Sequence, residues 1–248
     1  MTIKGVAKIQ EESSKIREYQ SKDSIRSVFL KNSKDVAIFR FLTDGDSLIS
    51  AQFHTVEETT SNGKTIWAKY YCPEQDGVPC KWHAAGNPTS ELLYLWVYWK
   101  CTLHTTQNPA LDTNPDAKSW PRGTFNGMPM YKEELNIPAI YRTSVGKSGI
   151  YKRTLINYYN KYGSFLDRDY ELLREGKNKE TLYMLSPRDP TAMDPTIKEL
   201  ISTLPDLEKV VSGKITSFNQ SEENKTTATE QVDAVEETSE VSNTEEVF

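Results

Sequence analysis

The chain has 248 residues, 37% of them hydrophobic, with a formal net charge of −5 and a mean hydropathy of −0.63. That length allows one sizeable core, while the low hydrophobic share implies that part of the chain buries nothing. No apolar run reaches membrane-spanning length, the N-terminus lacks the apolar centre of a secretion signal, and Cys72, Cys80 and Cys101 are too few for a disulfide framework, so a cytoplasmic location is expected.

Residues 1–24 mix charged and polar groups with few apolar positions (Ile9, Ile16, Tyr19) and read as an exposed N-terminal arm. Val36 to Leu42, Ser50 to Val56 and Thr65 to Tyr71 then read as three successive strands separated by turn clusters, which implies an antiparallel sheet. Cys72 to Gly86 carries two prolines and two glycines and suits neither strand nor helix, so something other than a core must order it. Leu92 to Cys101 (LLYLWVYWKC) is the strongest strand and belongs at the sheet centre. Thr105 to Pro129 reads as a long excursion. Lys152 to Tyr162 and Asp167 to Arg174 are short helical candidates, Thr181 to Leu185 a strand, and Pro195 to Leu204 a helix. The expected fold is mainly β (α+β): a β-barrel core over 25–218 with an inserted zinc subdomain around 54–86, peripheral helices, and a disordered acidic tail over 219–248.

The charge is divided along the chain. Residues 219–248 hold nine acids against Lys225, a net of −8, which leaves 29 basic and 26 acidic residues in 1–218, a net of +3. The negative average therefore does not exclude a nucleic-acid partner for the part that folds.

Four residues carry a metal-binding pattern. His54, Cys72, Cys80 and His83 follow the order His-x17-Cys-x7-Cys-x2-His, and thiolate with imidazole suits tetrahedral Zn²⁺. Four protein ligands leave no open position, so the site reads as structural. The alternative is two buried cysteines and two surface histidines, and Cys101 and His104 are the substitutes should one ligand be misassigned.

A strand period of two places Tyr94, Trp96, Tyr98 and Lys100 on one face of the aromatic strand, with Leu93, Leu95, Val97, Trp99 and Cys101 on the other. Flat rings beside a cation fit a platform for unpaired bases, although aromatic strands also pack beneath a second layer. Further cations and rings interleave at Lys69, Tyr71, Trp82, Arg122, Arg142, Lys152 and Arg153. Ser144 to Gly149 (SVGKSG) mimics a phosphate loop, but Tyr141 stands where the first glycine is required, so no ATP site is expected; Lys147 either meets a backbone phosphate or belongs to a plain loop. No nucleophile and base arrangement is recognisable, which argues against an enzyme. The terminal Glu245, Glu246, Val247 and Phe248 suit docking in a basic pocket on a partner.

With those residues in view, the chain resembles the zinc-containing single-stranded DNA-binding proteins of large tailed bacteriophages over roughly residues 28–190. The resemblance also draws on Tyr162 to Asp189, with its Tyr-Gly turn, Asp-Arg-Asp element and Gly-Lys turn before a strand. It implies an OB-type barrel with a zinc subdomain of one distal His and three Cys; His83 stands here where the family has its last Cys. The implied role is to coat unwound DNA during replication, recombination and repair in the host cytoplasm. The acidic tail would recruit replication and recombination proteins, and copies could self-associate on DNA. The rival readings are a zinc-bearing transcription-accessory or protein-interaction module, and a single-stranded RNA binder.

Overall fold

The computed structural model describes residues 24–59, 63, 65–107, 119–145, 150–177 and 181–218, with the backbone alone for 150–153. The chain divides into two units, Met1–Phe218 and Asn219–Phe248, and the described residues belong to the first. The expected tail, its Glu245, Glu246, Val247 and Phe248, the arm before Ser24, and Lys147 all lie outside the described residues, as do the side chains of Lys152 and Arg153.

The described strands are β1 (Arg26–Ser27), β2 (Val36–Phe41), β3 (Ile49–Thr59), β4 (Thr65–Tyr71), β5 (Thr89–His104), β6 (Arg122–Phe125), β7 (Met128–Ser144), β8 (Arg168–Glu175) and β9 (Leu182–Pro190). They pair in the order β1-β7-β5-β2-β8-β9, with β3 on β5, β4 on β3 and β6 on β7. The architecture is mainly β with helices α1 (Lys81–Ala84), α2 (Ile150–Tyr162), α3 (Pro195–Ile201) and α4 (Leu207–Val211). The sheet is mixed rather than purely antiparallel, because β1 runs parallel to β7. No ladder joins β9 to β1 among the described residues.

The aromatic strand is the hub, as its composition implies. Thr89–Tyr94 of β5 pair with β3 and Val97–Leu103 pair with β2 along one edge, while Leu92–His104 pair with β7 along the other. Lys100 is a bulge: Phe39 faces Trp99 and Ile38 faces Cys101, so one residue of β5 is extra. An extra residue moves every later side chain to the opposite face. Cys101 and Leu103 therefore leave the face of Leu95, Val97 and Trp99 and join a third cluster with Val36, Ile38 and Met130.

Two other expectations are corrected. The stretch expected as a helix over Asp167 to Arg174 is β8. Tyr170 and Leu172 enter the core on alternate positions, and the backbone lies between β2 and β9, so tertiary pairing overrides the helix propensity of a charged, Leu-rich run. The last part of the expected excursion, from Arg122 to Pro129, belongs to the β6–β7 hairpin, and β7 runs for 17 residues to Ser144. Pro129, Pro138 and Asn136 disguise it: Asn136 has φ 49 and sits where β7 carries extra residues opposite Lys100 of β5, a bulge that absorbs what a regular strand would not. Asp194 and Asp206 accept from the backbone N–H of Thr196 and Glu208 at 2.8 Å and so cap α3 and α4. No described helix is long and apolar enough to cross a membrane.

Candidate metal centre and nucleic-acid interface

Three elements converge on one point beside the β3–β4 hairpin. His54 lies within β3, where its backbone faces Tyr70 on one side and Thr89 on the other, and its ring is fully buried. Cys72 follows β4 directly. The chain then makes a short 3-10 turn at Pro73–Asp76, which Gly77 closes with φ 79, a value that glycine accepts without strain. Cys80 occupies the cap position of α1 and His83 the third residue of that single turn, so the two-residue spacer brings both side chains to one side.

The donor atoms of His54, Cys72 and His83 lie within 4.8 Å of one another, and this group could hold a metal ion. Cys80 Sγ is 3.5 Å from His54 Nε2, and Cys72 Sγ is 3.9 Å from His83 Nδ1. Ligands around a tetrahedral ion with bonds near 2.0 to 2.3 Å stand about 3.3 to 3.8 Å apart, so these two contacts lie near that range, whereas the 4.8 Å span of the three-residue group, which does not include Cys80, would have to contract. His54 Nδ1 lies 3.0 Å from the carbonyl oxygen of Asn87. A carbonyl only accepts, so that nitrogen carries the proton and Nε2 presents its lone pair to the cluster. Burial pushes the Cys72 thiol above its ordinary value, with the Cys80 thiol adding to the effect. A bound cation would supply the charge that stabilises the thiolates and would release their protons. Glu74 lies 3.3 Å from His83 Nδ1, a neighbour that the spacing pattern did not reveal.

Neither substitute ligand is near this point. Cys101 and His104 sit toward the other end of β5, Cys101 buried in the third cluster and His104 held by two carboxylates. His104 Nε2 is 2.9 Å from Glu133, Nδ1 is 3.5 Å from the fully buried Asp35, and the ring stacks on Trp120. Burial alone would lower the pKa of His104, but hydrogen bonds to Asp35 and Glu133 outweigh it and raise it to about 9. Burial likewise disfavours the Asp35 carboxylate, and bonds from His104, Thr105 and Asn32 reverse that, leaving its pKa below the usual range. Because the folded pKa of His104 lies above the unfolded value of about 6.5, its contribution is complete below that pH and disappears as pH rises through about 9. The loss should be on the order of 3 kcal/mol. Urea unfolding between pH 6 and 10 should show it, and His104→Gln should flatten that slope; an equally steep decline in the variant would remove His104 as its origin.

The aromatic platform expected on β5 is not an open surface. Tyr94 and Trp96 are buried, Trp96 at 2% exposure, and they pack with Ile197, Leu207 and Val211 of α3 and α4. Trp96 Nε1 donates to Pro205 O at 3.3 Å. The alternation of β5 is as expected up to Tyr98, but both faces are covered, because the C-terminal helices supply a second layer. Tyr98 is half-buried against the same cluster. Lys100, placed at the bulge, pairs with Asp169 at 2.6 Å, which also receives Arg40 Nε at 2.7 Å. That cation is therefore engaged internally. The buried Arg40 was not foreseen, since an arginine inside VAIFRFL gives no sign of the carboxylate waiting on β8.

The face that carries Tyr94 and Trp96 nevertheless continues onto neighbouring strands. Tyr94 faces Arg142 on β7 and Ile49 on β3, Phe53 faces Tyr71 on β4, and Lys69 and Trp67 follow Tyr71 at two-residue steps. Phe53 bridges the rings of Tyr71 and Tyr94 at 5.7 and 5.8 Å. Lys69 and Arg142 are both exposed and have no acidic partner among the described residues. Partial burial, then the charge of Arg142, lower the pKa of Lys69, and Arg142 also acts on the Tyr94 hydroxyl, which burial pushes up to about 12. Cations without acidic partners on a shared sheet face favour an anion there. Tyr71 is half-buried and donates to Asp76. Trp82 is half-buried, stacked on Tyr70 with Lys81 Nζ 4.6 Å from its ring. Arg122 is exposed on β6, next to the ring of Tyr131. Comparison with protein-family models found no match, and comparison with curated proteins found none either.

Proposed function

We propose that the chain binds single-stranded DNA without strong sequence preference, around a core built as an OB-type barrel and tied at its β3–β4 hairpin by a structural Zn²⁺ on His54, Cys72, Cys80 and His83. The observation that carries this reading is Lys69 and Arg142, two exposed cations on one aromatic sheet face without acidic partners among the described residues. Phosphates would relieve their mutual repulsion, which is how a nucleic-acid backbone is held. The resemblance to phage single-stranded DNA-binding proteins points the same way and adds a role in replication, recombination and repair, with the acidic tail recruiting partner proteins.

Titration with oligo-dT, oligo-U and duplex DNA, followed by tryptophan fluorescence, tests this. The expected result is strong quenching by oligo-dT, with a log-log salt slope near about −0.7 per phosphate contacted. Lys69→Ala with Arg142→Ala should weaken binding and make the slope shallower by about 1.4. Unchanged fluorescence with oligo-dT at low salt would rule the reading out, and preference for oligo-U would move it to RNA. Burial of Tyr94 and Trp96 favours a second reading, a metal-tied protein-interaction module whose aromatics are core; it predicts no response to any of the three strands.

A further inference from the structure

Trp67 is 67% exposed, a rare state for the largest apolar side chain. Its neighbours explain why it is not part of the core. It stands in β4 two residues before Lys69 and four before Tyr71, on the same sheet face as both, and its partner across β3 is Glu57 rather than an apolar residue. Tyr71 at the inner end of this row packs against the second core cluster, whereas Trp67 at the outer end is 67% exposed, with no layer above it among the described residues. The row therefore passes from a half-buried ring, through a cation, to an open ring.

We infer that Trp67 stacks on an unpaired nucleobase while Lys69, two residues along the same strand face, holds the adjoining phosphate, so that the strand crosses the β4 margin of the sheet rather than the covered β5 face. This rests on the nucleic-acid reading above and deepens it. An indole offers a flat, sequence-tolerant surface, and alternation of ring and cation at two-residue steps suits a chain that alternates base and phosphate. Glu57 beside the indole disfavours phosphate there and leaves the backbone to Lys69. In duplex DNA the base faces are occupied by stacking, so Trp67 adds affinity for unpaired strands alone.

Binding of the full chain to end-labelled oligo-dT, to an abasic strand of equal length and to duplex DNA can be read by fluorescence anisotropy, which does not depend on the tryptophans. Trp67→Ala should weaken oligo-dT binding about 5- to 100-fold, Trp67→Phe should restore most of it, and binding to the abasic strand and duplex should be unchanged. Because the side chain is exposed, the melting temperature should stay close to wild type, and a matching melt verifies that the variant is folded. If wild type binds oligo-dT and Trp67→Ala binds it equally well, the stacking role is overturned while the broader reading stands. An equal loss on the abasic strand overturns it too, since stacking requires a base. Absence of oligo-dT binding by the wild type overturns both.

Discussion

On the proposed zinc reading, chelation or replacement of Cys72 with serine is expected to be the most damaging single change at the β3–β4 hairpin. Cys72 and Cys80 enclose a loop with almost no buried apolar side chain of its own, and His54 and His83 bind it to β3 and α1. Structural zinc contributes an apparent 10 to 16 kcal/mol in small peptides. Here the sheet has its own core, so only part of that should register globally. A loss of about 4 kcal/mol would lower Tm by roughly 10 °C in a domain of this size. The expected result is one equivalent of zinc by mass spectrometry of the purified protein, lost in Cys72→Ser and on chelation, with a matching fall in Tm. A metal-free preparation whose Tm is indifferent to chelator and to added Zn²⁺ would refute the centre.

Asp169→Ala should destabilise the protein by about 3 to 5 kcal/mol. Asp169 receives Arg40 Nε at 2.7 Å and Lys100 Nζ at 2.6 Å, and Arg40, only 2% exposed, also donates to Thr191 O at 3.0 Å and to the Thr191 hydroxyl. Removing the carboxylate leaves a guanidinium inside the sheet without its counter-charge, which is costlier than never having the pair. The double variant Arg40→Met with Asp169→Leu should accordingly recover most of the loss. Urea unfolding of the two single variants and the double variant makes the cycle. A single Asp169→Ala variant within 1 kcal/mol of wild type would mean that water or a neighbour already compensates Arg40.

The group of His54, Cys72 and His83, which could hold a metal ion, was legible because its chemistry is local in type and spacing. Cys80 and His83 belong to one helical turn, and Cys72 closes the same loop, so the proximity of these three side chains follows from chain length alone. His54 was legible for a weaker reason, as one of only three histidines in the chain. Its second neighbour, Asn87, carried no signal, since a backbone carbonyl is independent of residue type. The strands β2, β4 and β5 were readable from their β-branched and aromatic runs. β7 was not, because its two prolines and Asn136 fall at a hairpin end and a bulge, where they are tolerated but look like breakers.

The amino-acid order determined the period-two face that runs through Tyr94 and Trp96, the stripe of Trp67, Lys69 and Tyr71, and the cysteines and histidines around the Pro-rich loop. These depend on backbone geometry and short spacings, which hold wherever the strand is placed. Only the tertiary structure decided which part of that face is open. The helices of residues 195–211 cover the middle of it, Arg142 comes from a strand some seventy residues after Lys69, and Asp169 neutralises Lys100 from another. Exposure and charge compensation are properties of what packs on a residue, and those partners lie too far along the chain for a local pattern to specify them.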